Sequence, residues 1–445
     1  MSELEQETES GRGDIAVEIA RQRELARLLP LSDHQVILVG SNPLPCLVAA
    51  LALAPRKVSL VATKQMARPG VSGATPLLTH LVNALTENGF EVEIAREIGD
   101  SASPDEVRKA MRSVSELRST GLNYTGGTKS MAVHAYAEWI ASGADPTQAS
   151  YLSADPPALV IGGGVRVPPI DLRAAPRVEL TKLARLHGLT PKSRKHPSGF
   201  RTEARDAELS RILFGVHQTR WQEKQGLVPL PNLCGACGAR LFKKADVEGC
   251  GHLAMDDAWR PVADAVGAVD FTFGGVLRGI EERIGKPWDR ALKYLEGEWL
   301  EDIVLETLGA LAEDDPALHS IGTELRWIVP PTGGSGQTPD FEVDASVMRG
   351  HTFFGISCTA DAKELVKLKL FEVSRRAIQL GGDHARFALV CLAPSTSIAK
   401  LAAELSANWA SPTRILVAGG DDVFSVGLDG VIRDWITQAQ EGGSE

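Results

Sequence analysis

The feature that most constrains the fold is an alternation of apolar, strand-like runs with segments of helical pattern. The runs at residues 36–40, 57–63 and 90–98 have buried-strand character, and the segments at 76–89 and 103–117 carry apolar residues at helical spacing. Two parallel strands need a long crossover connection, which is usually a helix. The sequence therefore predicts an α/β fold whose first domain is a parallel, doubly wound sheet.

Length and composition bound the class of protein. A chain of 445 residues is too long for one ordinary core, so two domains are expected. Hydrophobic residues make up 43% of the chain and charged residues 23%, which is typical of a globular protein. No apolar run approaches the length of a bilayer span, and the first residues are acidic, so we expect a cytoplasmic protein without a membrane partner. The net charge of −10 argues against a general nucleic-acid coat but allows a local basic groove.

The domain boundaries follow from where the alternation begins and fades. We predict an N-terminal extension at 1–30, a Rossmann-like domain at 31–190, a linker with a small insert at 191–260, and a second α/β domain at 261–445. The linker is predicted because residues 191–205 are basic and contain proline.

Two strand-to-helix junctions of the first domain could face one ligand. Gly40–Pro43 follows the first strand, and Asn123–Lys129 follows a later one. Ligands of open parallel sheets bind outside the carboxyl ends of the strands. The second loop has features that favour a bound phosphate: paired glycines, a helix N-terminus, Lys129 and the hydroxyls of Thr125 and Thr128. The spacing is not that of a Walker A loop. From these residues alone, a phosphate site and a tight structural turn are equally good interpretations.

The second domain carries carboxylates in an order that suits metal-dependent hydrolysis. Glu301 lies early in a predicted helix, and Glu342 and Asp344 alternate on a strand, which places both on one face. A further strand and a helix follow. This order resembles the core layout of PD-(D/E)XK nucleases, which implies that the carboxylates bind Mg²⁺ or Mn²⁺. Arg375 and Arg376 on that helix are candidate contacts to substrate phosphates, or equally a solvated helix face.

A cysteine cluster in the predicted insert has the spacing of a structural zinc site. Cys234 and Cys237 form a glycine-rich C-x-x-C turn, and Cys250 and His252 could complete a tetrahedral Zn²⁺ site. The alternative is three cysteines without a metal.

The N-terminal motifs resemble a known family over about the first 190 residues. The run LVGSNPLPCLVAALAL, then VSLVAT, then NYTGGTKSMAVHAY is similar to the CARF domain of type III CRISPR ancillary nucleases of the Card/Can type. The resemblance implies a receptor for cyclic oligoadenylate, with cyclic tetra-adenylate favoured, formed by a symmetric homodimer. It implies that the ring-binding residues are Ser41, Asn42, Thr63, Asn123, Thr125, Gly126, Gly127, Thr128 and Lys129.

The same resemblance places Glu301 at the helix glutamate of the family's GxWLE motif, so that Glu301, Glu342 and Asp344 are the implied metal ligands. The sequence departs from the family on the next strand. Related proteins read I-(E/S)-C-K-T there, whereas this chain has Thr359 directly after Cys358. Threonine cannot supply the positive charge of the lysine. We expect Lys363 to replace it, with Lys367 on the same helix as the alternative.

The expected function is therefore a cyclic-oligoadenylate-activated, metal-dependent nuclease that cleaves DNA, RNA or both. Two alternatives remain open. One is a non-catalytic sensor with a degenerate nuclease domain, and the other is a ring nuclease that degrades its own cyclic ligand.

Overall fold

The computed structural model describes residues 31–68, 75–162, 169–192, 196–224, 226–227, 255–328, 340–360, 366–406 and 414–441. The predicted extension at 1–30 and the predicted site residues Cys234, Cys237, Cys250, His252 and Lys363 lie outside these ranges. Within them the chain forms two mixed sheets, each flanked by helices. None of the described helices has the length and apolar character needed to cross a bilayer.

The first sheet has the strand order β3-β2-β1-β4-β5-β6-β7. Its strands are β1 (His34–Leu38), β2 (Lys57–Val61), β3 (Glu91–Ile94), β4 (Gly121–Asn123), β5 (Ala149–Ala154), β6 (Pro157–Ile161) and β7 (Ile170–Asp171). The first five in this order are parallel, as the alternation predicted. Strands β6 and β7 are antiparallel, because only two residues join β5 to β6 and so short a connection permits only a hairpin.

Helices cover both faces of this sheet. They are α1 (Leu44–Leu53), α2 (Lys64–Ala67), α3 (Leu77–Glu87), α4 (Pro104–Arg112), α5 (Lys129–Ala141) and α6 (Leu180–Leu186). Helices α1, α3 and α6 pack on one face, while α4 and α5 pack on the other around the buried Trp139. Strand β1 lies between β2 and β4, so the chain adds strands first on one side of β1 and then on the other. Ligands of such sheets bind at this switch point.

The second sheet has the order β13-β12-β11-β10-β9-β8. Its strands are β8 (Thr190–Pro191), β9 (Leu318–Ile328), β10 (Asp340–Arg349), β11 (Thr352–Thr359), β12 (Arg386–Cys391) and β13 (Ile415–Ala418). The helices of this unit are α7 (Ala207–Gln222), α8 (Arg260–Ala265), α9 (Phe273–Ile284), α10 (Trp288–Lys293), α11 (Trp299–Asp314), α12 (Val366–Gly381), α13 (Ser395–Ser406) and α14 (Leu428–Glu441). Strands β10 and β11 form an antiparallel pair.

One of the apolar clusters contains buried residues of both units. Helices α7, α9, α11 and α14 pack on one face of the second sheet around Trp259 and Trp299. The buried residues of α12 belong instead to the cluster that contains α1, α3 and α6 of the first unit. Helix α12 therefore lies between the two units and contacts both.

The described start of the segment predicted as a linker pairs with the second sheet. Strand β8 pairs with Ile328 and Trp327 of β9, and Arg201 forms a backbone bridge with Thr323. No strand was predicted at β8, because two residues are too few to show an alternation.

Candidate functional site

The two ligand loops predicted for the first unit lie side by side at the carboxyl edge of its sheet. Strand β1 pairs in parallel with β4, so both chains leave the sheet at the same edge. A Cβ on Gly126 would collide with the carbonyl of Leu38, and one on Gly40 would lie 2.9 Å from the amide nitrogen of Gly127. The backbones of the two loops are thus in direct contact, which only glycine permits.

The second loop presents hydrogen-bond donors at the start of α5. Thr128 is the N-cap residue, and its Oγ1 accepts a hydrogen bond from the backbone N–H of Met131 at 3.1 Å. Lys129 is the first residue of the helix, and both Thr128 and Lys129 are exposed, as is Ser41 in the first loop. A helix N-terminus with an adjacent lysine favours a bound anion.

Three other predicted ring-binding residues shape the loops from within. Asn123 is fully buried, donates to Ser150 Oγ at 3.1 Å and accepts from the backbone N–H of Thr125. Thr125 Oγ1 accepts a hydrogen bond from the N–H of Leu152 at 2.7 Å. Asn42 Oδ1 accepts from the N–H of Leu44 at 2.9 Å and so satisfies the start of α1. The structure places Thr63 at the end of β2, next to the first loop's strand.

A cluster of tyrosines adjoins the second loop and was missed by the sequence analysis. The ring centroids of Tyr124 and Tyr151 are 5.6 Å apart, and those of Tyr124 and Tyr136 are 6.1 Å apart. Exposed aromatic rings offer stacking surfaces for bases. The signal available in the sequence was Tyr124 itself, which lies inside the loop motif.

In the second unit, Asp344 and Glu301 form a carboxylate pair. Asp344 Oδ2 accepts hydrogen bonds from Ser357 Oγ at 2.6 Å and from the N–H of Cys358 at 2.8 Å. Burial, and then the nearby charge of Asp344, raise the pKa of Glu301 to about 8, although Arg205 acts in the opposite direction. Two carboxylates that repel each other in this way gain stability from a shared cation.

This donor set fits a magnesium-like ion. Among the described residues, no group of three or more His, Cys, Asp or Glu side chains converges on one point. Mg²⁺ is nevertheless commonly bound through one or two carboxylates, with water and substrate phosphates as the remaining ligands. Glu301 and Asp344 suit that mode. Glu342 lies on the same face of β10, but its half-exposed carboxylate is paired with Arg326 at 2.8 Å.

A lysine stands beside the pair, although not at the predicted position. The Nζ of Lys369, on α12, is 3.8 Å from Asp344 Oδ2. Burial opposes the charge on Lys369, but Asp344, Glu372 and Glu301 outweigh it and raise the pKa above its usual value. Lys367 is exposed. The positive charge that Thr359 cannot supply is thus available from α12.

The two predicted substrate-binding arginines differ in position. Arg376 is seven residues from Lys369, which is two helical turns, so both lie on one face of α12. Its guanidinium carbon is 5.5 Å from the centre of the Phe341 ring. Arg375 is exposed and lies farther round the helix.

Arginine 205 joins the carboxylates around Glu301 into a network. Arg205 Nη2 is 2.9 Å from Glu301, 2.6 Å from Glu324 and 3.5 Å from Glu298. The fully buried Asp302 is 2.8 Å from Arg201 of the same segment. Sequence reasoning missed this network because its members lie nearly a hundred residues apart in the chain.

Comparison with solved structures assigns the fold. The chain resembles the protein VC1899 from Vibrio cholerae with a TM-score of 0.60 and 14% identity, over 92% of this chain and 99% of that one. It resembles Can2 from Sulfobacillus thermosulfidooxidans, solved in complex with cyclic tetra-adenylate, with a TM-score of 0.59 and 15% identity, over 91% and 99%. A type III CRISPR defence DNA nuclease activated by cyclic oligoadenylate gives a TM-score of 0.46 at 18% identity, over 81% and 46%.

The first two likenesses span both units and confirm the predicted two-part α/β fold. Comparison of the sequence with protein-family models and with curated proteins gives no match.

Proposed function

We propose that this chain is a nuclease of type III CRISPR defence that is activated by cyclic oligoadenylate. The observation that carries the proposal is the presence, in one chain, of an anion-suited double loop at the switch point of the first sheet and of the Glu301–Asp344–Lys369 group in the second unit. The fold of the whole chain is shared with Can2, which was solved with cyclic tetra-adenylate.

The proposed ligand is cyclic tetra-adenylate, bound at the double loop. Its phosphates would meet the N–H groups at the start of α5 and the charge of Lys129, and its bases would stack on the tyrosines beside the loop. A ring of four identical units has two-fold symmetry, which a homodimer matches by contributing the same loop twice. The dimer is part of the proposal.

The proposed reaction is hydrolysis of a phosphodiester bond. When bound, Mg²⁺ or Mn²⁺ would supply charge neutralisation and activation of water. Asp344 Oδ2 accepts hydrogen bonds from Ser357 and from the N–H of Cys358, so the orientation of its carboxylate is fixed. Lys369 would stabilise the charge that develops on the phosphate, and Arg376 would bind a flanking phosphate.

Labelled DNA and RNA incubated with Mn²⁺, with and without cyclic tetra-adenylate, test this function. We expect cutting that requires the ring and that disappears in Asp344→Asn, while the variant still binds the ring. Tight ring binding without cutting of either substrate would support the non-catalytic sensor instead. Conversion of the ring to linear fragments by the wild type would support the ring nuclease.

A further inference from the structure

The C-terminal end of α12 is held by residues of the first unit. The last carbonyls of a helix have no partner inside the helix. Here the carbonyl of Leu380 accepts a hydrogen bond from His187 Nε2 at 2.9 Å and lies 3.4 Å from Asn42 Nδ2. Burial lowers the pKa of His187 to about 4, so the ring is neutral near pH 7 and Nε2 carries the proton that it donates.

Asn42 belongs to the first ligand loop and has two bonding partners in different units. Its Oδ1 accepts from the N–H of Leu44, and its Nδ2 donates to Leu380. One amide group therefore joins the start of α1 to the end of α12. Ser41, the exposed neighbour of Asn42, lies in the same loop.

The chain after α12 is shaped to accept this contact. Gly382 has φ of +59°, in the left-handed region that ends many helices. A Cβ at this position would lie 2.6 Å from Asn42 Nδ2, so another residue would strain the backbone and push the Asn42 amide away from Leu380.

The other end of α12 carries Lys369, whose charge faces Asp344. Leu380 lies eleven positions after Lys369 in the sequence, a distance of about 16 Å along a helix. The buried face of α12 lies in the core that both units share, so the helix is supported along its length. A displacement of one end is consequently transmitted to the other.

We propose that α12 transmits the state of the ligand loop to the nuclease site, with His187 and Asn42 as the positioning residues. This inference rests on the proposed function and specifies its regulation. Binding of the ring at the ligand loop changes the hydrogen bond from Asn42 to the carbonyl of Leu380. Helix α12 then shifts, and this changes the position of Lys369 relative to Asp344. The ring drives this change because it binds more tightly to the protein with α12 in one position than to the protein with α12 in the other.

Hydrogen exchange measured by mass spectrometry on the full-length wild type tests the link without relying on catalysis. We expect cyclic tetra-adenylate to slow amide exchange in peptides that cover residues 366–382. Ring binding that leaves exchange in α12 unchanged overturns the inference but not the proposed function. Absence of ring binding overturns both.

Variants at His187 add a second readout. In His187→Ala we expect the ring-induced change in α12 to disappear and the ratio of cutting rates with and without ring to fall about tenfold. His187→Gln, which keeps a donor, should restore part of both. His80→Ala is the matched control, since His80 is a half-buried histidine beside Gly188 in the same region. Equal activation of His187→Ala and wild type, with the same exchange change, contradicts the link.

Discussion

In the proposed reaction, Lys369 is the residue on which the chemistry of the second unit depends most. It is the cation placed against Asp344, and its partly buried position keeps the two side chains in one geometry. A lysine that arrives from a helix can neutralise the same charge as one on the strand, because the requirement is for position and not for sequence order.

Replacement of Lys369 by methionine keeps the bulk of the side chain and removes the charge. We expect the rate of ring-activated cutting to fall by about a hundredfold or more. Lys367→Met on the same helix is the control and should retain nearly wild-type cutting, since Lys367 is exposed. The measurement is the single-turnover cleavage rate. The opposite order of effects would assign the lysine role to Lys367.

The raised pKa of Glu301 predicts that the stability of the folded protein depends on pH. Its pKa is raised from 4.5 to about 8 in the folded state, so folding favours the protonated form. The stability from this group is complete below pH 4.5 and is lost as the pH rises through about 8. Glu301→Gln does not titrate. In EDTA, its Tm relative to that of wild type should therefore rise between about pH 5 and pH 9. A Tm difference that does not change with pH would contradict this assignment.

At the residue scale, the sequence predicted which two carboxylates lie together, but not which lysine stands beside them. Glu301 and Asp344 were predicted together and lie together, because a helix start and a strand face are fixed by local pattern. Lys369 was missed because the pattern of α12 does not reveal which lysine faces the sheet edge. Asn123 was predicted to bind ligand, yet its side chain is buried inside the loop, which only the tertiary structure reveals.

At the scale of elements, the close contact of the two ligand loops determines the shape of the carboxyl edge of the first sheet, where the proposed ligand binds. Gly126 and Gly40 allow the loops after β4 and β1 to touch through their backbones. The start of α5 is fixed by this contact, and with it the donors that would meet a phosphate.

Gly126→Ala should destabilise the protein and abolish ring binding, because the added methyl group meets the carbonyl of Leu38. Gly215→Ala, in the middle of α7, is the matched control. No heavy atom lies within 4 Å of a Cβ built there, so this change should stabilise by about 0.5–1 kcal/mol. Urea unfolding and calorimetric ring titration measure both effects. Normal ring affinity in Gly126→Ala would show that the loops need not touch.

The elements themselves were largely predictable. The parallel strands β1 and β2, helices α3 and α12 and the strands β10 and β11 follow the sequence patterns closely, whereas the strand predicted at 90–98 ends at Ile94 and the helix predicted at 103–117 ends at Arg112. The antiparallel edge at β6 and β7 was not predicted, because strand direction there depends on one short connection. Strand β8, which spans the predicted boundary between the first domain and the linker, was not predicted, since its two residues acquire strand geometry only by pairing with β9.

At the scale of the whole molecule, the shared core implies that the two units fold as one. The buried residues of α12 and of α1 and α3 form a single cluster, with no polar layer separating them. Units that bury apolar surface against each other to this extent lose much of their stability when separated.

We therefore expect a single cooperative thermal transition. Seven of the eight tryptophans follow residue 206, so their fluorescence reports the second unit, whereas far-UV circular dichroism reports both. The two signals should give coincident midpoints. Separate transitions would indicate that the units unfold independently and would weaken the case for transmission through α12.

The central claim is that ring binding in the first unit controls cutting in the second. The most direct test measures the cutting rate as a function of cyclic tetra-adenylate concentration, with ring affinity measured on the same preparations of wild type and Lys129→Gln. We expect the cutting rate to rise from near zero to a plateau as the ring concentration increases. In Lys129→Gln, the ring concentration that gives half of this plateau and the dissociation constant of the ring should increase by the same factor. Cutting that is independent of the ring, or a half-maximal concentration that does not follow affinity, would contradict the account.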